Sequence, residues 1–151
     1  CGVGCHSIIY VNTDPANAQD GASAAGFAAI NGSDSIAQDI ATTAGATYNV
    51  SFWLRNFGDP TNSFTFNWNG GADELSIVDA LADAAFVQYT FSLTASAATT
   101  SLVFAGRQDP SGWLLDNVTV TAALAVPEPG SLALAGLALA GLGVARRRRA
   151  G

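Results

Sequence analysis

The chain has 151 residues, about 125 of them before a proline-rich motif at 126–129, which leaves room for one domain with a real core and no second one. Residues 1–125 carry eleven Asp and Glu against only Arg55 and Arg107, a net charge of −9, and no lysine. A phosphate backbone would be repelled by such a surface, so nucleic acid is excluded as a partner while neutral sugars, cations and basic surfaces stay open.

The chain opens CGVGCHS, without the charged and apolar regions of a secretory signal. Cys1 and Cys5 close too small a loop for much stabilisation if oxidised, and with His6 they give only three candidate metal ligands. An incidental or structural role is the stronger expectation for all three. Residues 7–11 (SIIYV) read as a short strand, followed by a turn-rich loop to residue 26. A brief strand is expected at 27–30, a turn at 31–35, and a strand at 36–42 with Ile36, Gln38 and Ile40 on one face. The clearest strand is 47–56, where Tyr48, Val50, Phe52 and Leu54 alternate with Asn49, Ser51, Trp53 and Arg55. Period two over that length means one buried and one exposed face. At 63–69, Phe64, Phe66 and Trp68 alternate with Ser63, Thr65, Asn67 and Asn69 in the same way. A weak strand at 74–78 precedes 79–85, which is expected to be a loop or one helical turn. Val87, Tyr89, Phe91 and Leu93 alternate again, as do Leu102 and Phe104. The last strand, 113–121, places Leu114, Val118 and Val120 on one side with Asp116 among them. About eight short strands separated by turn signals predict an all-β antiparallel sandwich.

Beyond the sandwich the composition changes. Pro127 and Pro129 fix φ and remove two donors, ending the preceding strand. The 16 residues 130–145 carry no charge and alternate Leu or Val with Ala and Gly, and Arg146, Arg147, Arg148 and Arg149 follow. An arginine block beside an apolar span stays on the cytoplasmic side. As a helix those 16 residues rise only about 24 Å, short of the roughly 20 residues that span a bilayer, which suits a temporary anchor. Val126-Pro127-Glu128-Pro129, the apolar span and the arginine block together resemble the PEP-CTERM sorting signal of Gram-negative bacteria that make exopolysaccharide. The resemblance implies an exported precursor held transiently in the inner membrane until an exosortase processes it at Val126, Pro127, Glu128 and Pro129, which are then substrate and not active site. It also implies a leader ahead of Cys1, so the sandwich is expected to lack its start. The organisation expected is a sandwich over 1–124, a linker at 125–129, a single C-terminal transmembrane helix at 130–145 and a basic cytoplasmic tail at 146–151.

A second resemblance covers about 34–121: IAQDIATTAGATYNVSFWLRN, NSFTFNWNG and FVQYTFSLTASAATTSLVFAGRQDPSGWLLDNVTVT occur in the order found in jelly-roll domains related to carbohydrate-binding modules and the galactose-binding-like fold. Aromatic planes stack on the C–H faces of sugars while amides and guanidinium groups fix hydroxyls. Trp53, Arg55, Asn67, Asn69 and Trp113 are therefore the candidate glycan-binding residues. Packing under a neighbouring loop is the competing role for Trp53.

Asp116 stands where the alternation calls for an apolar residue, and a buried carboxylate needs a partner. A structural calcium with Asn12, Asp14 and Asn17 as oxygen ligands is one candidate; acceptance of backbone N–H bonds, or a pair with Arg107, is the other. Catalysis finds little support, since His6 stands alone and no nucleophile motif accompanies it. Asp73 with Glu74, or Asp109 with Asp116, could form a glycosidase pair, but carboxylates are frequent enough here for such pairs to arise by chance. The Asn-x-Ser/Thr triplets at Asn31, Asn49 and Asn117 are read as chance in a bacterial protein. The expectation is a non-enzymatic exported module associated with polysaccharide at the cell surface or in the matrix. The alternatives are a purely structural surface or biofilm protein and, behind that, a polysaccharide-active enzyme.

Overall fold

The computed structural model describes residues 8–58 and 60–123. Nine strands run in chain order: β1 (Ile9–Asn12), β2 (Ala24–Phe27), β3 (Asp34–Ala41), β4 (Thr47–Asn56), β5 (Asn62–Trp68), β6 (Asp73–Val78), β7 (Val87–Thr94), β8 (Thr99–Gln108) and β9 (Trp113–Ala122). They form two antiparallel sheets, a five-stranded one ordered β1-β2-β9-β4-β7 and a four-stranded one ordered β3-β8-β5-β6. The all-β sandwich read from the alternation is the fold observed. Among the described residues no α-helix occurs, and a 3-10 turn at Pro15–Asn17 is the single helical element. No helix among the described residues is long and apolar enough to cross a membrane. The sorting motif, the apolar span at 130–145 and the arginine block all lie outside the described residues, as do Cys1, Cys5 and His6.

The inward faces meet as a slab of aromatic rings. Val50, Phe52 and Leu54 from β4 face Phe64, Phe66 and Trp68 from β5 and Leu102 and Phe104 from β8, and all are buried. Phe52, Phe66 and Phe104 form a closed triangle with centroids 5.0 to 5.2 Å apart, in the edge-on and stacked geometries that ring quadrupoles favour. The buried indole nitrogens are satisfied by carbonyls, Trp68 donating to Thr94 O at 3.1 Å and Trp113 to Arg107 O at 3.0 Å.

Two local expectations change, at β2 and in β9, and one alternative is settled. The strand expected at 27–30 forms instead at Ala24–Phe27, because those residues pair with β1 on one side and β9 on the other. Of the loop and the helical turn open for residues 79–85, the loop forms. It is clasped by two fully buried asparagines, with Asn56 donating its amide to Ala80 O and Leu81 O, and Asn62 donating to Ala80 O at 2.7 Å while accepting from Ala80 N. The second change is in β9. Its register against β4 slips between Ser51/Thr119 and Trp53/Asp116, with Asn117 at φ +48: one extra residue, a β-bulge, which switches the side-chain parity. Trp113 and Leu115 before the bulge and Val120 after it face the core, not Leu114, Val118 and Val120 as one set. Leu114 and Asp116 thereby belong to the outer face of the five-stranded sheet, and Val118 is 42% exposed.

Candidate functional site

The outer face of the five-stranded sheet takes its side chains from the alternate positions that the core leaves over. On β4 these are Trp53 and Arg55, and Phe57 follows just past the strand end with its N–H bonded to Gly112 O at 3.0 Å. At about 3.4 Å per residue the row Trp53, Arg55, Phe57 extends roughly 14 Å, long enough for more than one sugar ring. Across the sheet Trp53 stands opposite Asp116 on β9 and Gln88 on β7, and Arg55 stands opposite Leu114.

At the β1 side the row continues through Gly26, which pairs with both Leu114 and Tyr10. Tyr10 lies across this glycine: a Cβ at position 26 would come 2.3 Å from the ring's Cζ and 2.4 Å from Cε1. One face of the phenol ring is therefore laid on bare backbone, and the residue keeps 38% of its surface exposed. Phe57, also 38% exposed, has the Arg55 guanidinium 4.3 Å from its ring centroid, a cation–π contact. Between the two rings a cleft of about 260 Å³ is lined by Tyr10, Asn12, Asn17, Phe57, Gly112 and Leu114 among others. Two aromatic surfaces, two amide side chains and a glycine floor share one depression.

The walls of this face are held by side chains that act on backbone. Asp116 Oδ2 accepts from Gln19 N at 2.7 Å and Asp20 N at 3.1 Å, and Oδ1 from Asn117 N at 2.7 Å, while Asn117 Nδ2 donates to Gln19 Oε1 at 3.0 Å. The loop after β1 is thus tied to the bulge. Asp14 caps the 3-10 turn by accepting from Ala16 N, and Asn12 Oδ1 accepts from Asp14 N. The opposite wall, 79–86, is held by the asparagine clasp, by Asp83 accepting from Asn56 N and by Arg55 Nη2 donating to Ala84 O at 3.3 Å. Burial, and after it the Asp83 charge, raises the pKa of Tyr89 above its ordinary value, keeping the phenol neutral where it stacks on Phe52.

The sequence-derived candidates separate on this framework. Trp53 and Arg55 share the outer face. Asn67 belongs to the opposite sheet, since Phe64, Phe66 and Trp68 point inward from the same strand, so it is not beside Trp53. It is buried and organises a turn, donating to Gly71 O at 2.6 Å and accepting from Gly70 N at 2.8 Å. Asn69 adopts φ +67 in that turn, next to Gly70 at +71, the left-handed pair that a tight hairpin needs, and its amide donates to Thr94 O. Trp113 is 1% exposed and packs on Phe64; it is a core residue and offers no platform, because strand parity before the bulge turns it inward. Of the oxygens proposed for calcium, Asn12 and Asp14 accept backbone N–H bonds within the loop after β1, and Asp116 accepts from Gln19 N and Asp20 N of that same loop and from Asn117 N. Among the described residues no group of three or more His, Cys, Asp or Glu could hold a metal. Satisfaction of the Asp116 carboxylate by N–H donors, the other expectation, is what these bonds provide. Asp109 is paired with Arg107 and accepts from Asn31 N, and Asp73 receives the Asn67 amide.

Tyr10 and Phe57 carry the cleft and were not among the sequence candidates. The available signals were a tyrosine on a first strand, a glycine at the paired position of the next, and an aromatic continuing the odd-numbered face of β4.

In sequence the chain matches no characterised protein, but residues 125–149 match the PEP-CTERM protein-sorting motif. The chain carries that motif, which implies export across a membrane and processing by an exosortase. In structure it is similar to TmCBM61 solved with beta-1,4-galactotriose, at a TM-score of 0.58 and 16% identity over 80% of this chain and 90% of that one. The structure titled "CBM4 structure and function" matches at 0.53 and 18% identity over 78% of both chains. A Clostridium thermocellum xylanase 10B carrying CBM22-1 and GH10 modules, solved with xylohexaose, matches at 0.54 and 16% identity over 83% of this chain, which spans 27% of that one. At these identities the likeness shows the fold: a β-sandwich of the kind used by carbohydrate-binding modules.

Proposed function

We propose that the chain is an exported, non-catalytic module that holds polysaccharide against the outer face of its five-stranded sheet. The span at 130–145 and Arg146 to Arg149 keep the precursor in the inner membrane of a Gram-negative cell. An exosortase then cuts near Val126 to Pro129 and passes the sandwich to the surface or extracellular matrix. The observation that carries the ligand reading is Tyr10 laid on Gly26, facing a cleft whose other aromatic wall is Phe57. Ring faces set among amides suit the alternating C–H and hydroxyl surface of a sugar. Trp53 extends the surface along β4.

The test is titration of the full chain, in detergent, with neutral plant and bacterial polysaccharides, for the parent and for Tyr10→Ala. Binding that falls in the variant supports the reading. Silence across all glycans supports a structural surface protein instead, and new reducing ends in the mixture would show an enzyme.

A further inference from the structure

Residues 8–123 contain two cations, Arg55 and Arg107. Arg107 is neutralised by Asp109, which its Nε and Nη2 both contact. Arg55 forms no ion pair with any described residue. Asp116 accepts three backbone N–H bonds and Asp83 accepts one from Asn56 N, and neither pairs with Arg55. Nor is its donor set spent. The single acceptor among the described residues is Ala84 O, taken by Nη2, so Nη1 has none; the Nε is buried, unpartnered and out of a ligand's reach. A guanidinium held between a ring and a carbonyl has lost part of its hydration, and an uncompensated charge in such a place is costly.

We infer that the polysaccharide seated in the cleft is an acidic one, whose sugars bear carboxylates, and that Arg55, which lies beside the cleft against its Phe57 wall, reads the carboxylate. This rests on the polysaccharide reading above and narrows it to a substrate class. The planar fork of arginine matches a carboxylate with two parallel hydrogen bonds, and Phe57 beneath it fixes the fork's plane. The domain's negative charge does not oppose this decisively. At physiological ionic strength charges beyond roughly 8 Å are screened, whereas a contact pair in a partly dry site is not. Net repulsion slows the encounter; the contact sets the preference.

The experiment compares three probes on the full chain: an oligogalacturonate, the neutral galacto-oligosaccharide of equal length and a sulfated one. Oligogalacturonate is expected to bind about tenfold tighter than the neutral chain, the scale of one charge-assisted hydrogen bond. That preference should shrink as salt is raised, and in Arg55→Gln the ratio of carboxylated to neutral affinity should fall to about one. Because Arg55 also packs on Phe57, melting of Arg55→Gln is measured alongside, and if the variant unfolds the salt titration of the parent protein decides. Equal binding of neutral and carboxylated chains overturns the inference and leaves the polysaccharide reading standing. Binding led by the sulfated chain also overturns it. Failure of all three probes overturns this inference, and the polysaccharide reading falls with it when the neutral plant and bacterial polysaccharides are silent as well.

Discussion

Replacing Gly26 by alanine tests whether the placement of Tyr10, and not only its presence, makes the binding surface. The added Cβ would lie 2.3 to 2.7 Å from three carbons of the Tyr10 ring, inside van der Waals contact, so the ring must leave the sheet. Overpacking of this kind costs about 1–3 kcal/mol inside a core, but Tyr10 is the free end of a side chain on an edge strand and can swing toward water. Gly26 also has no positive φ to violate, and the core neighbours Ala25 and Phe27 point the other way. Stability should therefore fall by about 1 kcal/mol or less, the lower end of that range. Binding should fall further. Covering one ring face removes about 40 Å² of apolar surface, worth roughly 1 kcal/mol, and the oriented ring contact adds about 0.5–1.5 kcal/mol. A loss of about 2 kcal/mol is about thirtyfold in Kd. Calorimetric titration with whichever polysaccharide binds the parent chain, paired with a melting curve, separates the two effects. Parent-like affinity in a folded Gly26→Ala protein would refute the argument that the ring's seat on the glycine matters.

Asn62→Ala should lower stability by about 1–3 kcal/mol, since it orphans Ala80 N and leaves Ala80 O with the Asn56 amide alone; denaturant unfolding measures it. Asp116→Ala removes the acceptor of three backbone N–H groups and should cost about 1–3 kcal/mol, with faster proteolytic nicking within residues 13–23 than in the parent, read by mass spectrometry of limited digests. Phe66→Ala, at the centre of the ring triangle, should cost about 3–5 kcal/mol and lower the melting temperature more than either. Pro127→Ala combined with Pro129→Ala should leave full-length precursor in the inner membrane, visible by immunoblot of membrane fractions, and unchanged maturation would count against the sorting account.

Chain order alone yielded the strand faces of β4 and β5, because period two is a local property: once Phe52 is inside, Val50 and Leu54 must be, and Trp53 and Arg55 cannot be. The sorting motif is legible for the same reason, being a contiguous string whose order carries its meaning. What the tertiary structure decided is everything that depends on register between distant strands. One extra residue at Asn117 turned Trp113 inward and Asp116 outward, and no pattern within 113–121 distinguishes a bulged strand from a regular one. The cleft joins Tyr10, Phe57 and Gly112, which share no neighbourhood in the chain and meet only because β1 pairs with β2, β2 with β9 and β9 with β4. Asn67 shows the converse. Its alternation is read correctly, yet it belongs to the other sheet, because the period of a strand says which residues share a face and is silent on which way that face looks.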